Sequence, residues 1–383
     1  MSRAARLSAH SDLATSLALL SDSELAELTD TAPTSATGIG GRSALVEVDG
    51  RTVFVKRMPL TDTERRPANV RSTANVFALP AFCHYGIGSP GFGVWRELAV
   101  HTMTTNWVLS GAFSGFPLLH HWRVLPDVPQ PAHEQLADVD RVVAYWGGSD
   151  GVRKRVEELR TATASLTLFL EYFPHTLHDW LGEQLRGGDP DAACALVERR
   201  LRSVTDFLHG QRLLHFDAHF ENILTDGDDL YLTDYGLALS ARFRLAPDER
   251  EFFDRHQRYD RHYSTGRLVN WLVTALTDTT GRSARPTCWR APPANAPPES
   301  RRPPPPSWSG TPPSPPCWSA STAGCRTRAG SPRIRTTRCA PPTTARRSPR
   351  SDRRRDGRRP GRPAPVPPRR RRGPANYPAA LVI

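Results

Sequence analysis

Lysine is almost missing from this chain of 383 residues: Lys56 and Lys154 stand against an arginine-dominated total of 51 basic side chains. Long apolar runs are absent too, since no stretch approaches the roughly 18 residues that a membrane-spanning helix needs. The basic and apolar residues near the start, Arg3, Arg6 and Leu17-Ala18-Leu19-Leu20, are interrupted by His10, Ser11 and Asp12, which argues against a signal peptide. The six cysteines include no C-x-x-C pair and have no histidine at zinc-ligand spacing. Unpaired thiols and a cytoplasmic location, with no membrane partner, are therefore expected.

Acidic residues become scarce toward the C-terminus. From Gly281 onward the chain holds 23 arginines and 24 prolines, no lysine, and as acids Glu299, Asp352 and Asp356. Of 51 basic and 39 acidic residues in all, the body is left with a charge of −8 and the tail with +20. Nucleic-acid contact through clustered arginines is thus expected of the tail alone. A Pro/Arg-rich segment cannot bury a core, so disorder is expected over 281–383. The break near Thr280 is abrupt and falls where further helices belong, which points to a frameshifted reading of a GC-rich gene; a real basic tail binding acidic partners is the alternative.

What is present in the body reads as mixed α and β structure. Residues 11–30 suggest short amphipathic helices with Ser21 or Ser23 as N-cap, an N-terminal helical extension over 1–35. Gly38-Ile39-Gly40-Gly41 then opens two alternating runs, 44–48 and 51–56, joined by Asp49-Gly50, a hairpin signal. Helices are expected over 94–109, 176–186, 191–210 and 265–276, with a buried strand at 166–171. A second tight hairpin joins 222–225 to 230–233 across Asp226-Gly227-Asp228-Asp229.

Three separated signals carry chemistry. Lys56 closes the apolar strand Val53-Phe54-Val55, where a compact ammonium suits phosphate oxygens; a surface lysine at a strand end is the bland alternative. His215-Phe216-Asp217-Ala218-His219-Phe220-Glu221-Asn222 fits His-x-Asp-x-x-x-x-Asn, pairing a carboxylate able to orient and deprotonate a hydroxyl with an amide able to hold a metal. Thr233-Asp234-Tyr235-Gly236 puts a carboxylate at a strand end, an oxygen ligand for a hard cation such as Mg²⁺.

In that order these motifs resemble the protein-kinase-like superfamily over about residues 36–277. The resemblance implies an α+β, two-lobed fold: a β-rich N-lobe over 36–171 with an inserted segment, and a mostly helical C-lobe over 172–280. It implies that Lys56 contacts ATP phosphates, that Asp217 is the catalytic base, that Asn222 and Asp234 hold magnesium, and that His215 supports the loop. Gly38, Gly40 and Gly41 stand where the family's phosphate-covering hairpin lies, although the full G-x-G-x-x-G is missing. Leu170-Glu171-Tyr172-Phe173 resembles the interlobe hinge that meets adenine. The glutamate that positions Lys56 would be Glu97, with residues 57–93 as an insertion, or else Glu64.

A formal G-x-G-x-x-G does occur at Gly86-Ile87-Gly88-Ser89-Pro90-Gly91, but no convincing parallel strand precedes it and no acidic strand end follows about 20 residues on, so a helix-entry loop is expected there. Phe216 replaces the arginine usual before the catalytic aspartate in protein kinases, and no Ala-Pro-Glu segment follows. His219 resembles the corresponding position of aminoglycoside and choline phosphotransferases. The implied partners are ATP and a hydroxyl acceptor, either a protein serine or threonine or a small alcohol. A pseudokinase that binds nucleotide or partners without transfer is the alternative of another class.

Overall fold

Helix formation begins almost at once. In the computed structural model, which describes residues 2–86 and 88–279, α1 (Arg3–Leu19) is capped by the Ser2 hydroxyl, and α2 (Asp22–Asp30) by Ser21 in a reciprocal capping box with Glu24. Leu13, Leu17 and Leu25 are buried with Val46, Val48, Val53, Val55, Leu125 and Phe169. The expected extension is therefore part of the fold: its two helices cover one face of the sheet that follows.

That sheet contains β1 (Thr34–Gly38), β2 (Gly41–Val48) and β3 (Arg51–Pro59), then, after α3 (Asp62–Arg65) and α4 (Val94–Ser110), β4 (Leu119–Pro126). Two further helices, α5 (Val139–Tyr145) and α6 (Asp150–Thr161), precede β5 (Ala164–Glu171). The strands pair antiparallel in the order β1-β2-β3-β5-β4. The β2–β3 connection is the expected two-residue turn, with Asp49 and Gly50 both left-handed at φ 51° and 70°.

Side-chain alternation decides what each face meets. Val53 and Val55 point toward α1 and α2, while Met58 of β3 and Leu166, Leu168 and Leu170 of β5 pack with Val94, Trp95 and Leu98 of α4. Lys56 has the parity of Met58, which aims it at α4. The segment between β3 and α4 has a core of its own: Phe77, Leu79, Cys83 and Phe92 pack with side chains of α5 and α6, among them Val142, Trp146 and Val156.

After β5 the chain becomes largely helical: β6 (His175–Thr176), α7 (Leu177–Gly187), α8 (Pro190–Gly210), β7 (Leu213–Leu214), β8 (Ile223–Thr225), β9 (Leu230–Leu232), β10 (Leu239–Ser240), α9 (Pro247–Arg255) and α10 (Tyr259–Thr279). A three-stranded ladder, β6-β8-β9, includes the expected second hairpin, and β7 pairs with β10. Leu177, Leu181, Val197, Leu201, Val204 and Leu208 form the centre of this part's apolar core. The last helix starts six residues before the expected Thr265.

The architecture is thus mixed α/β. Among the described residues no helix is long and apolar enough to cross a membrane, and Cys83 and Cys194 are free thiols. The tail over 281–383, with its expected disorder and frameshift, lies outside the described residues, as do the other four cysteines.

Candidate active site

Because Lys56 faces α4, its ammonium meets the first turn of that helix. Lys56 Nζ lies 2.6 Å from Glu97 Oε1 and 3.0 Å from Asp234 Oδ1. Three segments distant in sequence, β3, α4 and the turn after β9, therefore converge on one cation. Burial works against the Lys56 charge, but the two carboxylates outweigh it and raise its pKa. For Asp234 burial likewise opposes the charge, yet the lysine pulls the carboxyl down to about 2. Both groups stay ionised across the neutral range.

Glu64, the other expected partner, has a different task. It closes a capping box with Thr61, accepts the Val94 N–H at 2.8 Å and pairs with Arg155 at 2.6 Å. It thereby holds the N-terminus of α4, one helical turn from Glu97. The long distance in sequence between Lys56 and Glu97 is taken up by the separately packed segment described above.

The loop from His215 to Asn222 is pinned from below. Asp260, at the start of α10, accepts the N–H groups of His215 and Phe216 at 2.7 and 2.9 Å. It is 4% exposed, and burial raises its carboxyl above the ordinary range. His215 bridges two motifs: its Nε2 lies 2.9 Å from Thr233 O, and its Nδ1 accepts the Asp217 N–H at 3.2 Å. The expected supporting role for His215 has this as its physical content. Asn222 Nδ2 donates to Asp217 O at 3.0 Å, which leaves Oδ1 as the atom able to face a cation.

Two non-glycine residues here have left-handed backbone, Phe216 at φ 66° and Asp234 at φ 61°. Such conformations cost on the order of 1–3 kcal/mol and persist where the surroundings impose them. Asp234 keeps 43% of its side chain exposed and Asp217 keeps 31%, so both carboxylates open to solvent despite their buried supports. Asp234 and Asn222 together offer oxygen donors of the kind magnesium prefers. Among the described residues no group of three or more His, Cys, Asp or Glu side chains converges as a metal cluster.

The three hairpin glycines separate by role. A Cβ on Gly40 would lie 3.5 Å from Lys56 Nζ, so the β1–β2 turn rests directly on the ammonium. Gly41, at φ 130°, is needed for packing, because a Cβ there would lie 2.1 Å from Arg57 O. Gly38 has open space around it. Glu171 ends β5 as expected, but its carboxylate is taken by Arg6 of α1 at 2.6 Å, and Arg6 also donates to Ser114 O at 2.8 Å.

Asp260 and Arg6 are the supports that the sequence reading missed. The signal for Asp260 was present in the spacing of Asp260, Ser264 and Leu268, one helical face with an acid at its head. No comparable pattern marks Arg6. No family model and no curated protein matches the chain.

Proposed function

We propose that this chain is an ATP-dependent phosphotransferase with a protein-kinase-like fold, moving the γ-phosphate of Mg-ATP to a hydroxyl acceptor. The observation that carries the reading is the convergence of Glu97 and Asp234 on Lys56 from three segments distant in sequence. A second feature supports it: the loop bearing Asp217 and Asn222 is tied to the Asp234 turn through His215. A sheet-rich part ending at Glu171 and a helical part beyond it fit the two-lobed arrangement that the motifs imply.

In this reading Lys56, freed from Asp234 by the arriving nucleotide and still held by Glu97, neutralises phosphate oxygens. The Gly40 turn lies over the same ammonium and covers them. Asn222 and Asp234 would hold magnesium, which supplies further neutralisation of the phosphate charge. Asp217 orients the acceptor hydroxyl and takes its proton as the acceptor oxygen bonds to the γ-phosphorus and the bond to the ADP oxygen breaks.

Transfer of labelled γ-phosphate, to water or to added acceptors, tests the proposal. Asp217→Ala is expected to lower the rate by on the order of 10²–10⁴ while leaving nucleotide binding intact. Equal rates for parent and variant would contradict the assignment of Asp217. Nucleotide binding without any transfer would identify the pseudokinase alternative.

A further inference from the structure

A cavity of about 470 Å³ opens where the end of α8, the turn after β10 and helix α9 meet, and it shares no residue with the candidate active site. Arg212, Arg242 and Arg250 line it together with one carboxylate, Asp254. Leu245 and Phe253, both buried, form its apolar part. Three guanidinium groups against a single carboxylate make this wall basic.

The three arginines come from three separate segments, and the backbone of each is fixed. Arg212 is left-handed at φ 53° and accepts the Ala241 N–H at 3.0 Å, which ties the turn after α8 to the end of β10. The Arg242 N–H donates to Ser240 Oγ at 3.2 Å, and Arg250 lies within α9. Their side chains are only lightly engaged. The Arg212 guanidinium lies 5.4 Å over the Phe253 ring and reaches Asp254 Oδ1 at 3.4 Å, in a pair exposed on both sides. Arg250 donates to Leu245 O at 3.3 Å. Among the described residues the Arg242 guanidinium has no hydrogen bond or ion pair. A guanidinium carries five N–H donors, so most of the donors around the cavity are free to meet a ligand.

We propose that this cavity binds a small phosphate monoester, with Arg212, Arg242 and Arg250 holding the phosphate group. The proposal is independent of the phosphotransferase reading. The planar guanidinium fork matches phosphate oxygens bidentately. An excess of two positive charges on the wall balances the charge of a phosphate monoester at neutral pH, about −1.5 to −2, better than that of a carboxylate or sulfate. The volume falls within the roughly 300–1,000 Å³ of small-molecule pockets, so the remainder of the ester has room beside Leu245 and Phe253.

The test is isothermal titration calorimetry of phenyl phosphate into the full-length chain, at low ionic strength and without magnesium. The arginine-rich tail also attracts anions, so substitutions within the cavity decide the outcome. Arg242→Gln and Arg250→Gln are each expected to weaken binding by about tenfold, the effect of losing a hydrogen bond to a charged group. Asp254→Asn removes the one repelling carboxylate and should tighten binding several-fold, a gain that a misfolded variant cannot produce. Phenyl sulfate, of similar shape but with a single charge, should bind several-fold more weakly than phenyl phosphate.

Equal affinities for the parent, Arg242→Gln and Asp254→Asn would overturn the proposal, because the anion would then sit elsewhere on the chain. Equal affinities for phosphate and sulfate would overturn the assignment of a doubly charged ligand. A phosphoserine peptide that binds more tightly than phenyl phosphate and is weakened by Arg242→Gln would replace the small molecule with a protein partner.

Discussion

Lys56 and Asp234 share a charge balance that pH can dissect. Asp234 titrates from the ordinary 3.8 down to about 2 in the folded protein, burial opposing its charge and Lys56 prevailing. A carboxyl depressed on folding contributes stability that is complete above its unfolded pKa and is lost as pH falls through the folded value. Urea unfolding between pH 4 and 2 should therefore show a steep loss of stability in the parent, and a flatter one in Asp234→Asn. Parallel profiles would mean that the pair is not formed in solution. The rarity of lysine drew attention to Lys56, which the structure brings to Glu97 and Asp234, and the spacing of Asp217 and Asn222 singled out a loop in which the two side chains are hydrogen-bonded neighbours. The choice between Glu97 and Glu64 was not legible: both are acids near α4, and what separates them is that Glu64 caps the helix while Glu97 lies on its inner face.

Helix α10 shows how one element fixes the shape of a loop distant in sequence. Its Asp260 is buried beneath the 215–222 loop and satisfies two N–H groups there. Asp260→Ala would orphan both, at about 1–3 kcal/mol for each N–H. A lowered urea midpoint together with a reduced transfer rate is the expected result, and an unchanged rate at lowered stability would show that the loop keeps its shape without this support. Strongly periodic helices such as α7 and α8 could be read from spacing alone. The strand β4 could not, since Leu119-His120-His121-Trp122 shows no apolar alternation. The start of α10 was missed although Asp260, Ser264 and Leu268 share a helical spacing, because Tyr259 and His262 break the apolar period around them. The helices α1 and α2 were visible as helices, but their burial was not. Only the opposite sheet face, with Val46, Val53 and Val55, explains where Leu13, Leu17 and Leu25 go.

Across the molecule, neighbours of the site residues join its parts. Arg96, the neighbour of Glu97, pairs with Glu249 of α9 at 2.7 Å with both side chains 1% exposed, and Arg6 ties α1 to the end of β5. Removing one member of a buried pair is strongly destabilising, so α4 is held against the helical part by a contact that does not involve nucleotide. On that anchored helix Glu97 meets Lys56 at 2.6 Å. If the centre is a Mg-ATP site, its affinity must depend on metal and lysine alike. Isothermal titration calorimetry of ATP, with and without Mg²⁺, into the parent, Lys56→Met and Asp234→Asn is the most direct test. The account predicts magnesium-dependent binding by the parent and its loss, by about tenfold or more, in each variant, equivalent to about 1.4 kcal/mol. Binding that ignores magnesium and survives both substitutions would contradict it.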